Sequence, residues 1–240
     1  MEEFLNSTYN VFFKFQPRKT QHETLYNNGE ILIPGYVPTE SESVGSYYTH
    51  INYHSMKTAL TKLLEYNPTG PYVFVETGCA AHGTKSTLLW DKFVTNFGGN
   101  VYSVDLDSNA VQKTQQLVSS KTTITHSDSV EYLKSFKLPI DFLYLDSYDV
   151  DYLNPFPSAK HHLKEFNAIK HLLHKGSIVL IDDTPGSPEW LDNGVHCPIY
   201  DRYKQSFDIN MSGKGSLVSL ELEKMGATRI LHQYQVLWVV

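Results

Sequence analysis

The sequence predicts an α/β fold in which helices cover both faces of a mostly parallel β-sheet. Short apolar runs alternate with segments of helical periodicity from residue 70 nearly to the C-terminus. Glycine, proline and asparagine mark many of the joints between them. The last two apolar runs are separated by only two residues, too few for a parallel crossover, so they pair as an antiparallel hairpin.

Residues 1–50 lack clear periodicity and carry turn chemistry at Asn28-Gly29, Pro34-Gly35 and Val37-Pro38. In residues 52–66, Met56, Ala59, Leu60, Leu63 and Leu64 fall at helical spacing, and Asn67-Pro68 ends the run. YVFVE (72–76), between Gly70-Pro71 and Gly78, reads as a buried parallel strand. A helix over 85–97, a strand over 101–105, a helix over 109–118 and a strand over 122–126 follow. Then come a helix over 130–136, the strand FLYLD (142–146), a helix over 158–173 with Ser158 as N-cap, and the strand SIVLID (177–182). A helix over 216–225 leads into the hairpin strands 228–232 and 235–240. The expected sheet has five parallel strands and one reversed edge strand. Residues 1–69 are expected to form a cap segment and helix packed on a core domain of residues 70–240.

At 240 residues the chain can bury a full core, and 41% hydrophobic with 19% charged residues argues against wholesale disorder. A net charge of −6 makes nucleic acid an unexpected partner, because phosphate binding needs a basic face. Cys79 and Cys197 are too few for a disulfide framework and read as free thiols of a reducing compartment. The opening MEEFLNSTYNVFF has acids where a secretory signal has bases, and no run reaches the ~20 apolar residues of a membrane span. The expectation is a cytoplasmic protein without a membrane partner.

Ligands of such sheets sit outside the carboxyl ends of the strands, where strand order reverses. Acids stand at or just past all five parallel strand ends: Glu76, Asp105, Asp128, Asp146 and the pair Asp182-Asp183. One such acid is ordinarily a cap or loop residue. Five together would repel one another unless a ligand or cation offsets them. The loop after the first strand, within VFVETGCAAHGTKST (73–87), has Gly78 for a tight turn and Gly83 for close approach of a ligand. It lacks the three glycines of a dinucleotide fingerprint, and Lys85 stands one place too late for a P-loop. A nucleoside without pyrophosphate fits better, with Asp105 on the ribose hydroxyls and Glu76 and the loop holding an amino-acid tail.

These residues resemble class I S-adenosylmethionine-dependent methyltransferases over roughly residues 70–240. VETGCAAHGTKST, VYSVDLD, HSDSVEYL, DFLYLD and GSIVLIDD are similar to that family's five motifs, in order. The resemblance implies a Rossmann-like, doubly wound fold and S-adenosylmethionine as methyl donor. It places Glu76 and Gly78 at the methionine end, Asp105 at the ribose, and Asp128 and Ser129 at the adenine edge; Gly83 and Asp146 are also expected to bind the cofactor. The first-loop glycines stand one residue further apart than in the common E-x-G-x-x-x-G form, which leaves Cys79 and His82 without assigned roles.

If the fourth and fifth strands are neighbours, Asp146, Asp182 and Asp183 converge, and an all-oxygen set suits a divalent cation, Mg²⁺ first. That arrangement resembles the metal-dependent O-methyltransferases of catechol type and those acting on sugar hydroxyls. The alternative is that Asp183 caps a turn before Pro185 and only Asp146 meets the cofactor. Where catechol-type enzymes have a lysine, this chain has Asp149, a candidate general base or a solvated loop acid. His161 and His162 enter near the fourth helix. As adjacent residues they cannot face the same way, and His162 is retained as a candidate base.

The expected acceptor is a small-molecule hydroxyl, a saccharide or nucleotide-linked sugar first. Its specificity would come from the run SYYTHINYH (46–54) and from Trp190, His196 and Tyr200 in the long connection after the fifth strand. Two alternatives stay open: a metal-independent methyltransferase acting on nitrogen, nucleic acid or protein, and a non-catalytic nucleoside-binding module. A homodimer is the assembly that general frequency favours.

Overall fold

The computed structural model describes residues 2–15, 48–79, 85–192 and 199–240. Gly83 and His82 of the first loop, His196 and Cys197 of the long connection, and the turn signals within residues 28–38 lie outside the described residues. The chain opens with α1 (Glu2–Thr8), which runs into a π-helical turn (Tyr9–Phe13). The short strands β1 (Lys14–Phe15) and β2 (Tyr48–Thr49) pair antiparallel, and α2 (Tyr53–Tyr66) follows.

The principal sheet contains β3 (Tyr72–Thr77), β4 (Gly99–Asp105), β5 (Thr122–His126), β6 (Ile140–Leu145), β7 (Leu173–Ile181), β8 (Thr228–His232) and β9 (Val236–Val239). Its order is β5-β4-β3-β6-β7-β9-β8. The five strands from β5 to β7 are parallel, and the C-terminal hairpin closes that edge antiparallel, so the predicted doubly wound α/β architecture is present. One detail differs from expectation: the reversed strand is not outermost. β9 pairs with β7, and β8 takes the edge. Burial explains the choice. All four β9 side chains, Val236 to Val239, are buried, whereas Thr228 and Arg229 of β8 are exposed.

Helices α3 (Ser86–Phe97), α4 (Ser108–Gln115), α5 (Ser129–Ser135) and α6 (Phe156–Ile169) follow β3, β4, β5 and β6 in turn. The connection after β7 holds α7 (Tyr200–Ser206), and α8 (Ser216–Lys224) leads into the hairpin. Alternate residues of each strand serve opposite faces. Phe74, Phe142, Tyr144 and Leu180 pack with Met56, Leu60 and Leu63 of α2 and with Trp90 and Phe93 of α3. Val75, Leu143, Leu145, Val179 and Ile181 pack with Leu133 of α5, Phe166 and Ile169 of α6, and Val218 and Leu222 of α8. The first segment joins this packing, since Phe4, Leu5 and Phe13 belong to the cluster around Phe74.

Helix α6 begins two residues before the expected start. Pro155 is its N-cap and Pro157 stands in its first turn, where a missing N–H leaves nothing unpaired. Ser158 lies inside the helix, its hydroxyl donating back to the Pro155 carbonyl at 2.9 Å.

Candidate functional site

Strand order reverses between β3 and β6: β4 and β5 continue to one side of β3, and β6 and β7 to the other. A cleft of about 100 Å³ opens there, lined by Gly78, Val104, Asp105, Leu106, Asp128, Ser129, Ser147, Tyr148 and His161. Its place is where doubly wound folds bind ligands. Gly78 has φ +81, and an added Cβ would fall 2.5 Å from the Asp146 carbonyl oxygen. The turn therefore needs a left-handed residue without a side chain.

Asp105 meets the cleft already oriented. Its Oδ2 accepts from the Cys79 N–H and its Oδ1 from the Asp107 N–H, both at 2.8 Å. A carboxylate has about four lone-pair positions, so each oxygen keeps one for a ligand. Leu106 beside it is 72% exposed, an apolar surface at the cleft's edge. Asp128 caps α5 by accepting from the Glu131 N–H at 3.0 Å, and it lines the same cleft.

Glu76, expected at the methionine end, stands behind the cleft wall. It is fully buried and accepts from Ser86 (2.6 Å), Thr87 (2.6 Å), Ser103 (2.7 Å) and the Trp90 indole (3.0 Å). Burial raises its carboxyl to about 7 despite those four donors. Its contacts tie β3 to β4 and to the start of α3.

Of the two adjacent histidines, His161 faces the cleft and His162 does not. His161 Nε2 lies 3.1 Å from the Ser129 hydroxyl and 3.3 Å from Glu165, with the Tyr148 ring beside it. His162 is fully buried, its Nδ1 at 2.8 Å from the Ser158 carbonyl. Burial holds it down to about 4, so it stays neutral near pH 7. Burial alone would raise Glu165, but its bonds with His161, Ser129 and Ser147 outweigh that and hold it at about 2. His162 thus belongs to the support of α6 and does not line the cleft, and its full burial speaks against the expectation of it as a base.

The remaining acids lie where β6 and β7 end side by side, with Leu145 opposite Ile181. Asp146, Asp182 and Asp183 converge there, and a side chain unforeseen in the sequence stands among them. The Lys214 ammonium, from just before α8, is 2.6 Å from Asp146 Oδ1 and 2.7 Å from Asp183 Oδ2. Asp182 accepts from the Tyr144 hydroxyl (2.7 Å), Asn52 Nδ2 (3.2 Å) and the Asp183 N–H (2.8 Å). Asp183 also accepts from the hydroxyls of Tyr152 (3.2 Å) and Tyr234. Burial, then repulsion among the acids, raises Asp146 and Asp182. For Asp183, burial is outweighed by Lys214 and the tyrosine hydroxyls, and it is held down. Asp149 is exposed on the loop after β6.

The three acids as they stand do not fit a divalent cation. Among the described residues no group of three His, Cys, Asp or Glu side chains is arranged to hold a metal. A cation shared by Asp146 and Asp183 would have to sit where the ammonium sits. At ~4 Å from that ammonium it would be repelled by about 8 kcal/mol at an effective dielectric near 20.

The aromatic residues of the long connection pack together. Tyr200 is buried with Ile51, Leu191, Tyr203 and Tyr234, and Trp190 packs against that cluster. Among the described residues no helix is long and apolar enough to cross a membrane.

Comparison with known proteins bears on the fold. Residues 75–184 match the profile of a methyltransferase domain family. No curated sequence matches the chain significantly. Among solved structures, the chain is similar to MycE, a methyltransferase from the mycinamycin biosynthetic pathway solved with Mg and SAH. The identity is 15% and the TM-score 0.51, over 79% of this chain and 49% of that one. The chain thus spans about half of MycE's length. It is also similar to CalS11, a TDP-rhamnose 3'-O-methyltransferase of calicheamicin biosynthesis, at 13% identity and TM-score 0.51, over 99% of this chain and 92% of that one. The fold is that of the class I S-adenosylmethionine-dependent methyltransferases.

Proposed function

We propose that the protein is an S-adenosylmethionine-dependent methyltransferase acting on a hydroxyl of a small molecule, a saccharide or nucleotide-linked sugar first. The observation that carries the reading is the cleft at the switch point, with Asp105 oriented by two backbone N–H groups and keeping one acceptor position on each oxygen. Such a carboxylate matches a pair of ribose hydroxyls. Leu106 offers an apolar contact for the adenine plane, and Asp128 and Ser129 flank its polar edge. Gly78 brings backbone close to the methionine end, while Glu76 supports that wall from behind. The catalytic domain in this reading covers residues 70–240.

S-adenosylmethionine supplies an activated methyl group. The acceptor oxygen bonds to the methyl carbon as the carbon–sulfur bond breaks, and the hydroxyl proton must pass to a base. In this reading Asp146, at the end of β6 beside Gly78, orients that oxygen, and Asp149 on the loop that follows is the base. No step is assigned to a divalent cation. The acceptor class rests on the motif resemblance and on the likeness to CalS11, whose name states a sugar hydroxyl as its target.

The test is calorimetric titration with S-adenosylmethionine and S-adenosylhomocysteine, followed by transfer of a labelled methyl group to a panel of saccharides and nucleotide-linked sugars. Micromolar binding of both nucleosides and label in a sugar is the expected result. A folded protein that binds neither nucleoside overturns the reading. Binding with label only in amines, protein or nucleic acid overturns the acceptor class.

A further inference from the structure

We propose that Lys214 is the resident cation of the acid cluster: its ammonium takes the place between Asp146 and Asp183 that a divalent ion would need, and the cluster works without metal. The lysine is built into that position. Its side chain is 3% exposed, and it spans 68 residues of sequence to Asp146 and 31 to Asp183.

The backbone around it is clamped to the end of β7. The Lys214 N–H donates to the Asp183 carbonyl at 3.2 Å, and the Gly215 N–H donates to the Thr184 hydroxyl at 2.8 Å. Gly213 has φ +144, and a Cβ there would lie 2.0 Å from the Asp183 carbonyl oxygen, so the two strands of chain meet at a distance only glycine allows. Asp183 itself adopts a left-handed backbone (φ 43), which turns its carboxylate toward the ammonium.

The other donors complete the cluster. Tyr144, Asn52 and the Asp183 N–H hold Asp182, while Tyr152 and Tyr234 share Asp183 with the lysine. A divalent ion needs about six oxygens. Here every one of the three carboxylates already accepts from protein donors, and a fixed positive charge sits at the centre. The identity of the site's cation does not depend on which acceptor is methylated.

Manganese titration of the full chain, followed by the loss of the free-ion electron-spin resonance signal, tests this without cofactor or acceptor. Each protein is compared with its Asp183→Asn counterpart so that ions bound elsewhere cancel. We expect no difference between wild type and Asp183→Asn up to about 1 mM Mn²⁺. Lys214→Met, which keeps length and removes charge, should gain one site that Asp183→Asn abolishes, tighter by a factor of at least ~10 than anything at that position in wild type. A stoichiometric wild-type site lost in Asp183→Asn overturns the proposal. So does a folded Lys214→Met that gains no site. If Lys214→Met fails to fold, the wild-type comparison decides alone. Because no methyl group moves in the experiment, failure here leaves the methyltransferase reading intact, and failure of that reading leaves this result intact.

Discussion

Asp105, at the end of β4, and Asp183, just past the end of β7, are both strand-end aspartates on the same edge of one sheet. Their surroundings differ. Asp105 is half-buried, held by two backbone N–H groups, and lines a cleft beside an exposed leucine. Asp183 is as partly buried as Asp105, with 23% of its side chain exposed, but it is held by a buried ammonium and two tyrosine hydroxyls. The β3–β5 half of the edge keeps open hydrogen-bonding positions at Asp105, while in the β6–β7 half protein donors take most of the positions on Asp182 and Asp183. Substitutions in the open half should therefore be read mainly in binding, and those in the closed half mainly in stability.

The largest effect should come from the closed half. Lys214→Met leaves Asp146 and Asp183 without their shared counter-ion, and breaking such a pair typically costs about 3–5 kcal/mol. Urea unfolding of Lys214→Met should lose about that much at neutral pH. A loss within about 0.5 kcal/mol, the usual range for surface changes, would break the comparison by showing that the pair is no better held than a surface one.

Glu76 sharpens the contrast from the wall between the halves. Unfolded, its carboxyl titrates near 4.5; folded, burial raises it to about 7. Between those values the folded chain keeps a proton that the unfolded chain has lost. The stability contributed by Glu76 is full below about pH 4.5 and is lost as pH rises through 7, by at most about 3 kcal/mol. His50 and His162, buried and held down to about 4, act in the opposite sense at acid pH, so the raw profile mixes the two. Wild type minus Glu76→Gln isolates the term. That difference should fall from about pH 5 to about pH 7 and then level off. A flat difference would mean that the four hydrogen bonds, rather than burial, set the state of Glu76.

The open half should respond in binding. Asp105→Ala is expected to weaken S-adenosylhomocysteine by about 100-fold, near 2.7 kcal/mol, as two hydrogen bonds to a charged acceptor are lost. Unfolding should change little, because water can satisfy the Cys79 and Asp107 N–H groups there. Calorimetry and urea unfolding on the same preparation separate the two effects. A large stability loss with unchanged affinity would reverse the assignment of Asp105.

How far the sequence could be read follows the same division. The parallel strands, the helices between them and the hairpin were legible because period and punctuation are local signals; strand 122–126 matches β5 and 228–232 matches β8 residue for residue. The acids at strand ends were legible for the same reason. Lys214 was not. In the run SGKG it reads as a polar loop residue, and its partners lie 31 and 68 residues away, across pairings that no periodicity reports. The available hint was charge: three acids converging on one rim require a cation, and a lysine between two glycines just before a helix was a candidate beside a metal. α7 was missed because YDRYKQS carries little apolar periodicity; Tyr200 and Tyr203 are its buried residues, and they pack on Ile51 and Tyr234 from remote parts of the chain. The order of the hairpin strands was also out of reach, since it turns on which strand is apolar on both faces once the sheet exists. His161 and His162 show the limit for side chains: adjacency told that only one could face the cleft, but the phase of α6 depends on Pro155 as cap, and the expected cap was three residues later.

The smallest effect tests the open half at its least protected point. Leu106 is 72% exposed, so folding gains little from it, and Leu106→Ala should leave unfolding within about 0.5 kcal/mol of wild type. If an adenine ring covers that side chain in the complex, the same change removes apolar contact formed only on binding, worth about 1 kcal/mol and thus about fivefold in affinity for S-adenosylhomocysteine. Adenosine should show the same loss and free methionine none, because only the nucleoside half would lie on Leu106. An equal loss for methionine would place the amino-acid end at Leu106 and invert the proposed orientation along the cleft. No loss for either would leave Leu106 outside the site, and Asp105 would then have to hold its ligand from the β3 side alone.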